Sequence, residues 1–216
     1  MTKAKDKRQK PKLSAEHEQI RCNDVWSRDG FIEKARIEGG AMLDAEGERL
    51  VFDDCVLKDV SFASSTWRGT EFVDVRFETC DFSNAQMENV MFHRCEIIDS
   101  KMTGVDMANS NLGHVLIERC DVRYANFNFS RMKEVEFKES GLEDSDFYEC
   151  DFKVVRFKEC KLNNANFSET DLSGVDLSAN TYDRIEVTLP KIAGCIVSKE
   201  QAVGFARVLG LTVKEE

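Results

Sequence analysis

A bulky apolar residue returns at every fifth position from Phe52 to Leu177 without a break. Each of these positions holds Phe, Leu, Met, Ile, Val or Trp, and most of the 15 Phe of the chain are among them. A second column lies two positions earlier and holds smaller residues, as in Cys55, Val60 and Ser65. A period of five is neither the helical 3.6 nor the strand period of two. The pattern therefore predicts repeat units that bury both columns by stacking on one another.

The repeat unit reads small–polar–bulky–polar–polar, as in residues 80–84 (CDFSN) and 165–169 (ANFSE). In this pattern the chain resembles the pentapeptide-repeat family, whose motif is usually written A(D/N)LXX. The resemblance implies an all-β fold, a right-handed quadrilateral parallel β-helix with four pentapeptides per coil. Extending the register to Val187 then predicts seven coils, a rod of roughly 34 Å at about 4.8 Å per coil.

Segments outside the repeat divide the chain into four predicted parts. Residues 1–13 are strongly basic and predict a disordered tail, although the net charge of the whole chain is −10. Residues 14–47 predict an N-terminal cap, in which Ser14 caps a short helix that runs to Ile20. Residues 48–197 form the β-helix, and residues 198–216 a C-terminal capping helix with a dimerisation segment. The chain shows neither a signal-like segment nor an apolar run that spans a membrane, so we expect a cytoplasmic protein.

The C-terminal helix carries its own start and stop signals. Ser198 and Gln201 match a capping box, and Gly210 suits the position after the helix. Leu211 and Val213 predict a short strand beyond it. The apolar surface of the helix is broader than one covering face needs. It therefore predicts self-association, with a fully buried cap in a monomer as the alternative; the candidate contact residues are Val203, Phe205, Ala206, Val208, Leu209 and Leu211.

The polar and sulfur-containing residues predict no catalytic or metal site. Seven of the eight Cys lie in the small column. Cys residues of one column, such as Cys80 and Cys120, are about 9.6 Å apart, beyond the ~7 Å limit for a disulfide. We therefore predict free, buried thiols. His17, His93 and His114 are scattered along the sequence and predict isolated surface residues. With no catalytic, zinc or phosphate-binding motif, we predict a non-enzymatic protein without a cofactor.

One face of the predicted rod combines acidic and aromatic residues. Taking every fourth unit groups Trp67 with Phe127 and Phe147 on this face, where Arg68 is the one basic residue. Exposed aromatic side chains beside charges of one sign are typical of interaction surfaces. The acidic body disfavours direct binding to nucleic acid and suits a basic partner. The predicted partner-binding residues are Glu88, Asp106, Asp146, Glu149, Glu169, Glu186, Phe129 and Tyr148.

Within the family, the chain is most similar to the Qnr group in residues 74–84, 124–129 and 198–213. This resemblance implies a homodimer joined through the C-terminal caps. It also implies binding to DNA gyrase and topoisomerase IV as a DNA-like partner, which reduces quinolone action. No loop interrupts the register, as in loopless chromosomal Gram-positive members of the group. A structural or adaptor solenoid that binds another protein satisfies the repeat equally well and stays open as the alternative.

Overall fold

The computed structural model describes residues 8–42, 49–208 and 210–214. Its strands are β1 (Glu18–Ile20), β2 (Phe31–Glu33), β3 (Ala35–Glu38), β4 (Val51–Lys58), β5 (Glu71–Glu78), β6 (Met91–His93), β7 (Glu96–Ile98), β8 (Asn111–Gly113), β9 (Leu116–Glu118), β10 (Arg131–Lys138), β11 (Asp151–Lys158), β12 (Asn166–Phe167) and β13 (Glu186–Val187). The helices of the described ranges are two 3-10 turns, Cys22–Ser27 and Leu189–Ile192, and α1 (Lys199–Val208). None of them is long and apolar enough to cross a membrane.

Successive coils pair in parallel and are offset by the length of four pentapeptides. Phe52 lies opposite Phe72, which in turn lies opposite Phe92. Outside the strands the same offset continues through single bridges, such as Asp106 to Asn126. The predicted right-handed quadrilateral β-helix is therefore confirmed, with about eight turns rather than seven. The regular coils begin earlier than predicted, because β2 already pairs with β4.

The bulky column fills the interior of the rod. All its members from Phe52 to Leu177 are buried except Phe152, which is half-buried. Rings in neighbouring coils stack on one another: the centroids of Phe137 and Phe157 are 5.2 Å apart with planes 4° apart. Such an aromatic pair contributes about 0.5–1.5 kcal/mol beyond the area that it buries. The period of five thus produces a continuous aromatic core.

Residues of the small column form hydrogen bonds between neighbouring coils. Ser130 Oγ donates a hydrogen bond to Met107 O at 3.0 Å and accepts one from Ser110 N at 3.0 Å. Cys residues occupy equivalent sites, with Cys95 Sγ 3.3 Å from Phe72 O. Burial raises the pKa of the Cys80 thiol to about 12, so it stays protonated at neutral pH. The described Cys residues are all free, and only Cys195 is less than fully buried.

The corners of the rod are formed by residues with positive φ, two positions after each bulky residue from Phe52 to Leu172. Asn84 and Asn109 have φ of 54° and 58° at this position. Asn, Asp and Gly adopt this left-handed conformation most readily, whereas bulky and β-branched residues rarely do. Tyr124, Phe129 and Val154 nevertheless adopt it, with φ of 59°, 62° and 64°. These three corners are therefore strained.

The N-terminal region differs from the sequence-based expectation. Instead of capping a helix, Ser14 donates its backbone N–H to Asp54 Oδ1 at 2.8 Å, and residues 18–20 form strand β1, which pairs with β3. Residues 8–13, expected to be disordered, make hydrogen bonds to the rod. Residues 1–7 and 43–48 lie outside the described residues.

The C-terminal helix α1 begins at Lys199, as its start signals predict. Ser198 N donates to Gln201 Oε1 at 2.8 Å, and Gln201 N donates to Ser198 Oγ at 3.2 Å. Gln201 Nε2 also reaches Leu177 O at 3.1 Å, which joins the helix to the coil below it. Gly210 has the positive φ of 77° expected of a residue that ends a helix. Residues 211–214 form no strand, contrary to the prediction for Leu211 and Val213.

Candidate interaction faces

In the first half of the rod, the carboxylates of the predicted acidic face have hydrogen-bond partners within the protein. Arg68 Nε donates to Glu88 Oε2 at 2.8 Å, and this hydrogen bond lowers the pKa of Glu88. One coil further, Asn126 Nδ2 donates to Asp106 Oδ1 at 3.0 Å. Glu88 and Asp106 are both half-buried. Their charge is thus already paired or hydrogen-bonded within the rod.

The exposed carboxylates of this face lie in the second half of the rod. Asp146 Oδ1 accepts a hydrogen bond from Asn166 at 2.7 Å, and Glu186 pairs with Arg184 at 3.0 Å. Glu149 and Glu169 occupy the same corner in successive coils and are exposed. Neither forms an ion pair with a described residue. These two carboxylates are therefore the exposed acidic groups of the face that have no cationic partner among the described residues.

Two aromatic side chains lie beside these carboxylates. Phe129 is 49% exposed and meets Tyr148 edge to face, with centroids 5.6 Å apart. We call Phe129, Tyr148, Glu149 and Glu169 the acidic–aromatic patch. Tyr124, which the sequence reasoning overlooked, is a further aromatic residue on this half of the rod and is 60% exposed. The signal was present in the sequence, since an aromatic residue at a corner departs from the usual Asn, Asp or Gly.

A second charged face lies beneath residues 8–17, which we call the N-terminal strap. The strap runs along one corner of the rod and donates Lys12 N to Asp74 Oδ1 at 2.8 Å. Arg8 contacts Glu96 at 3.3 Å, and His17 Nε2 lies 3.0 Å from Asp54 Oδ1. Residues of seven successive coils share this corner, which we call the strap corner: Asp54, Asp74, Arg94, His114, Glu134, Val154 and Gly174.

All three His of the chain meet at the strap, contrary to the prediction of isolated surface residues. The rings of His93 and His114 are 5.8 Å apart, and Gln9 N donates to His114 Nδ1 at 3.3 Å. Burial lowers the pKa of His93, and the neighbouring Arg94 lowers it further. Burial also lowers the pKa of His114. Both imidazoles are therefore neutral at pH 7.

The carboxylates under the strap are held in the charged form. Burial alone raises the pKa of Asp54, but hydrogen bonds from Ser14 and His17 outweigh it and lower the pKa. The pKa of Asp74 is lowered in the same way, because hydrogen bonds from Arg94 and Lys12 N outweigh its burial. The strap thus supplies part of the hydrogen bonding that these buried charges need.

A sequence profile described as "Pentapeptide repeat region" matches residues 70–147 and 130–202. These ranges cover more than half of the chain, and their period is the one that the coils display. The chain belongs to the pentapeptide-repeat family. No curated protein sequence matches it.

Solved pentapeptide-repeat structures resemble the chain in fold. Full-length QnrB1, described as a plasmid-mediated fluoroquinolone resistance protein, is 15% identical with a TM-score of 0.42, over 84% of this chain and 99% of that chain. A trypsin-treated QnrB1 variant is 19% identical with a TM-score of 0.40, over 94% of this chain and 98% of that one. HetL from the cyanobacterium Nostoc, described as involved in heterocyst differentiation regulation, is 11% identical with a TM-score of 0.35, over 88% of each chain. At these identities and TM-scores the likeness carries no conclusion about this chain.

Three of the six residues predicted for dimerisation line a shallow apolar groove of this pentapeptide-repeat protein. The groove has a volume of about 300 Å³ and is lined by Phe205, Ala206 and Leu211 together with Cys195. Leu211 is 59% exposed, and Val203 is half-buried. The side chains of Val208 and Leu209 lie outside the described part of the chain. Dimerisation through this end stays a prediction.

The described residues contain no group of three or more metal-ligating side chains. The Cys residues are distributed along the core, and burial raises the pKa of Cys120 and Cys150 to about 12. Protonated thiols are poor ligands and poor nucleophiles. The candidate binding side chains are therefore those of the acidic–aromatic patch and of the strap corner.

Proposed function

We propose that this protein is a non-enzymatic binding rod that engages DNA gyrase or topoisomerase IV as a DNA-like partner and thereby reduces quinolone action. The proposal rests on the acidic–aromatic patch, supported by the Qnr-like segments of the sequence. Glu149 and Glu169 repeat along the rod at about one coil spacing, 4.8 Å. A basic groove that accepts the phosphates of DNA suits such carboxylates, and charge complementarity speeds the encounter.

The aromatic pair of the patch supports binding rather than a merely solvated surface. Phe129 occupies a strained corner and is half-exposed. Each feature is unfavourable for the isolated protein, since the conformation costs about 1–2 kcal/mol and the ring remains in water. Aromatic residues that become buried at an interface contribute strongly to affinity. Phe129 thus destabilises the free rod and at the same time offers an aromatic surface that a partner can bury.

A supercoiling assay with purified gyrase, with and without ciprofloxacin, tests the proposal. The informative variant is Glu149→Gln with Glu169→Gln, which removes charge but keeps the acceptor that Glu169 offers to Thr188 at 2.9 Å. We expect about tenfold more variant to be needed for the same effect, which corresponds to about 1.4 kcal/mol.

The matched control is Asp59→Asn with Glu159→Gln. Both residues are exposed, lie at the opposite corner of the rod with φ of 54° and 55°, and form no ion pair with a described residue. We expect the control to behave like the unmodified protein. Equal weakening by both pairs would show that net charge rather than the patch is responsible. No effect of the unmodified protein on either topoisomerase at micromolar concentration would refute the proposal.

One observation favours the alternative, an adaptor rod that binds a different protein. Glu88 is paired with Arg68, and Asp106 is half-buried and hydrogen-bonded by Asn126, so exposed, unpaired carboxylates do not extend along the whole face as phosphates extend along DNA. A short patch suits a local protein contact. The two functions are separated by surface plasmon resonance with gyrase and topoisomerase IV: an adaptor for another protein binds neither enzyme.

A further inference from the structure

Among the described residues, the ladder of backbone hydrogen bonds between coils is interrupted between residues 151–159 and residues 171–178. In the preceding coils, corner and core amides donate to the next coil, as Phe82 N does to Lys101 O at 2.7 Å and Asn84 N to Thr103 O at 2.9 Å. Strand β11 pairs with β10 on one side. On its other side, no backbone hydrogen bond joins residues 151–159 to residues 171–178 in the described part of the chain.

The two coils separate here and leave an open slot of about 500 Å³. Both sides of the slot contribute apolar side chains, among them Phe152, Val154, Val155 and Val175. The slot explains why Phe152 is the one half-buried member of the bulky column and why Val154 is 51% exposed. Beyond the slot the coils pair again, since Leu172 N donates to Lys191 O at 2.9 Å.

The ends of the slot are anchored, so the separation is local. Thr170 Oγ1 accepts a hydrogen bond from Cys150 N at 2.8 Å. At the other end, Asn180 Oδ1 accepts one from Cys160 N at 2.9 Å, and Asn180 Nδ2 donates to Phe157 O at 3.0 Å. Between these anchors the amides of Phe152 and Val154 are left without partners in the described structure. An open strand edge of this kind is a template for pairing with another strand.

The charges at the slot indicate which strand it accepts. On the β11 side, Arg156 pairs with Glu134 at 3.2 Å and Lys158 with Glu136 at 2.6 Å. On the opposite side, Asp171 and Asp176 are exposed and accept hydrogen bonds from Ser173 N and Ser178 N, both at 2.9 Å. Neither carboxylate forms an ion pair with a described residue. The unbalanced charge of the slot is therefore negative.

At the other end of the strap corner, the N-terminal strap shows how carboxylates of the rod bind a basic, extended segment. There an extended basic segment donates a backbone N–H to Asp74 and an Arg8 side chain to Glu96. Val154 and Gly174, which face each other across the slot, continue this corner beyond Glu134. The same corner thus offers unfilled strand edges and unpaired carboxylates where the described strap does not reach.

We propose that the slot binds an extended, basic segment of a partner protein by strand addition. The segment would pair with the open edge of β11, place apolar side chains against Phe152 and Val175, and place Lys or Arg beside Asp171 and Asp176. Main-chain hydrogen bonds provide affinity in this mode, and alternate side chains provide specificity. The site is separate from the acidic–aromatic patch, and its test does not depend on topoisomerase binding.

The probe is a synthetic peptide in which two bulky residues keep the five-residue spacing of the coil: acetyl-Lys-Phe-Lys-Gly-Val-Lys-Phe-Lys-amide. Its Phe residues take the bulky positions, and its Gly takes the corner, where positive φ is required. Fluorescence anisotropy of the labelled peptide against the full-length protein measures binding. We expect saturable binding, which is lost when alternate amides of the peptide are N-methylated, because strand pairing needs those N–H groups. The same peptide with Glu in place of Lys should not bind.

The protein variant is Asp171→Asn with Asp176→Asn, which removes charge and keeps both turn hydrogen bonds. We expect at least about tenfold weaker peptide binding, as for about 1.4 kcal/mol. Asp81→Asn is the matched control, because Asp81 Oδ1 accepts Ser83 N at 2.9 Å in the same local turn but lies far from the slot. Equal weakening by the control would overturn the assignment, as would unchanged binding by the N-methylated peptide.

Amide hydrogen exchange tests whether the slot is free. The amides of Phe152, Val154 and Phe157 should exchange quickly in the free protein and slowly with peptide, while those of Met132, Glu134 and Phe137 in β10 stay protected in both states. Protection in the free protein at every concentration would show that the chain itself fills the slot. Protection that grows with protein concentration would identify a second copy as the occupant. Either result, or no binding at about 1 mM peptide, would overturn the proposal.

Discussion

The strained corner at Val154 leads to the prediction that a substitution there stabilises the protein, whereas most substitutions destabilise a protein. Val154 has a φ of 64° and is 51% exposed. A β-branched residue in this conformation costs up to about 2 kcal/mol, and Asn adopts the conformation more readily. Replacing Val by Asn also removes the apolar burial of roughly half a Val side chain, about 0.8 kcal/mol. Val154→Asn should therefore stabilise the rod by about 1 kcal/mol.

Urea unfolding measures this difference as a higher midpoint with an unchanged slope. On heating, we expect a rise of the Tm by about 2–4 °C for a chain of this size. The mirror-image control is Asn109→Val, because Asn109 is an exposed corner residue with a φ of 58°. That variant should lose about 1 kcal/mol for the same conformational reason. If Val154→Asn lowers the midpoint while Asn109→Val leaves it unchanged, the corners are unstrained and the reasoning is wrong.

Two further predictions concern the core and the strap. Phe137→Ala removes a ring that stacks on Phe157 and should lower the free energy of unfolding, measured in urea, by about 3–5 kcal/mol. Phe129→Ala, at an exposed position, should lower it by less than about 1 kcal/mol. Stability should also fall as the pH drops below about 6.5, because burial lowers the pKa of His93 and His114 and the unfolded chain then binds more protons. Hydrogen exchange of residues 8–17 should speed up over the same range, and His93→Gln with His114→Gln should flatten both profiles; an unchanged pH profile in that variant would contradict this. The charged groups that face the two imidazoles are Arg8, Lys12, Asp74, Arg94, Lys133 and Glu134.

The repeat made the interior of the rod predictable. A period of five assigns each residue to a column, so the burial of Phe137 or Cys80 follows from its position alone. The same register placed Glu149 and Glu169 on one corner. It also contained a signal for the two neighbouring His, because His93 and His114 are separated by one coil plus one residue. Local sequence context does not show this neighbourhood, because only the coil register brings the two residues together.

The repeat pattern of the sequence does not predict the strap or the slot. Arg8 and Glu96 are 88 positions apart and belong to no common repeat, so their contact depends on the path of a segment without periodicity. The slot depends on a small change in how two coils stack, while residues 151–158 and 171–178 keep the repeat pattern on both sides. A pattern that specifies which residues face inward does not specify the spacing between coils. Only the backbone hydrogen bonds show where the ladder is open.

The distribution of engaged and free charge explains why both candidate surfaces lie in the same half of the rod. In the first half, several carboxylates are paired with cations of the chain itself, as Glu88 is with Arg68 and Asp74 is with Arg94. In the second half, Glu149, Glu169, Asp171 and Asp176 have no cationic partner among the described residues. Because a paired carboxylate gains little from a second cation, whereas a free one gains more, basic partners are directed to the later coils. The patch lies at the corner of Glu149 and Glu169, and the slot lies around the next corner, at Val154 and Gly174, so two basic segments would contact different carboxylates.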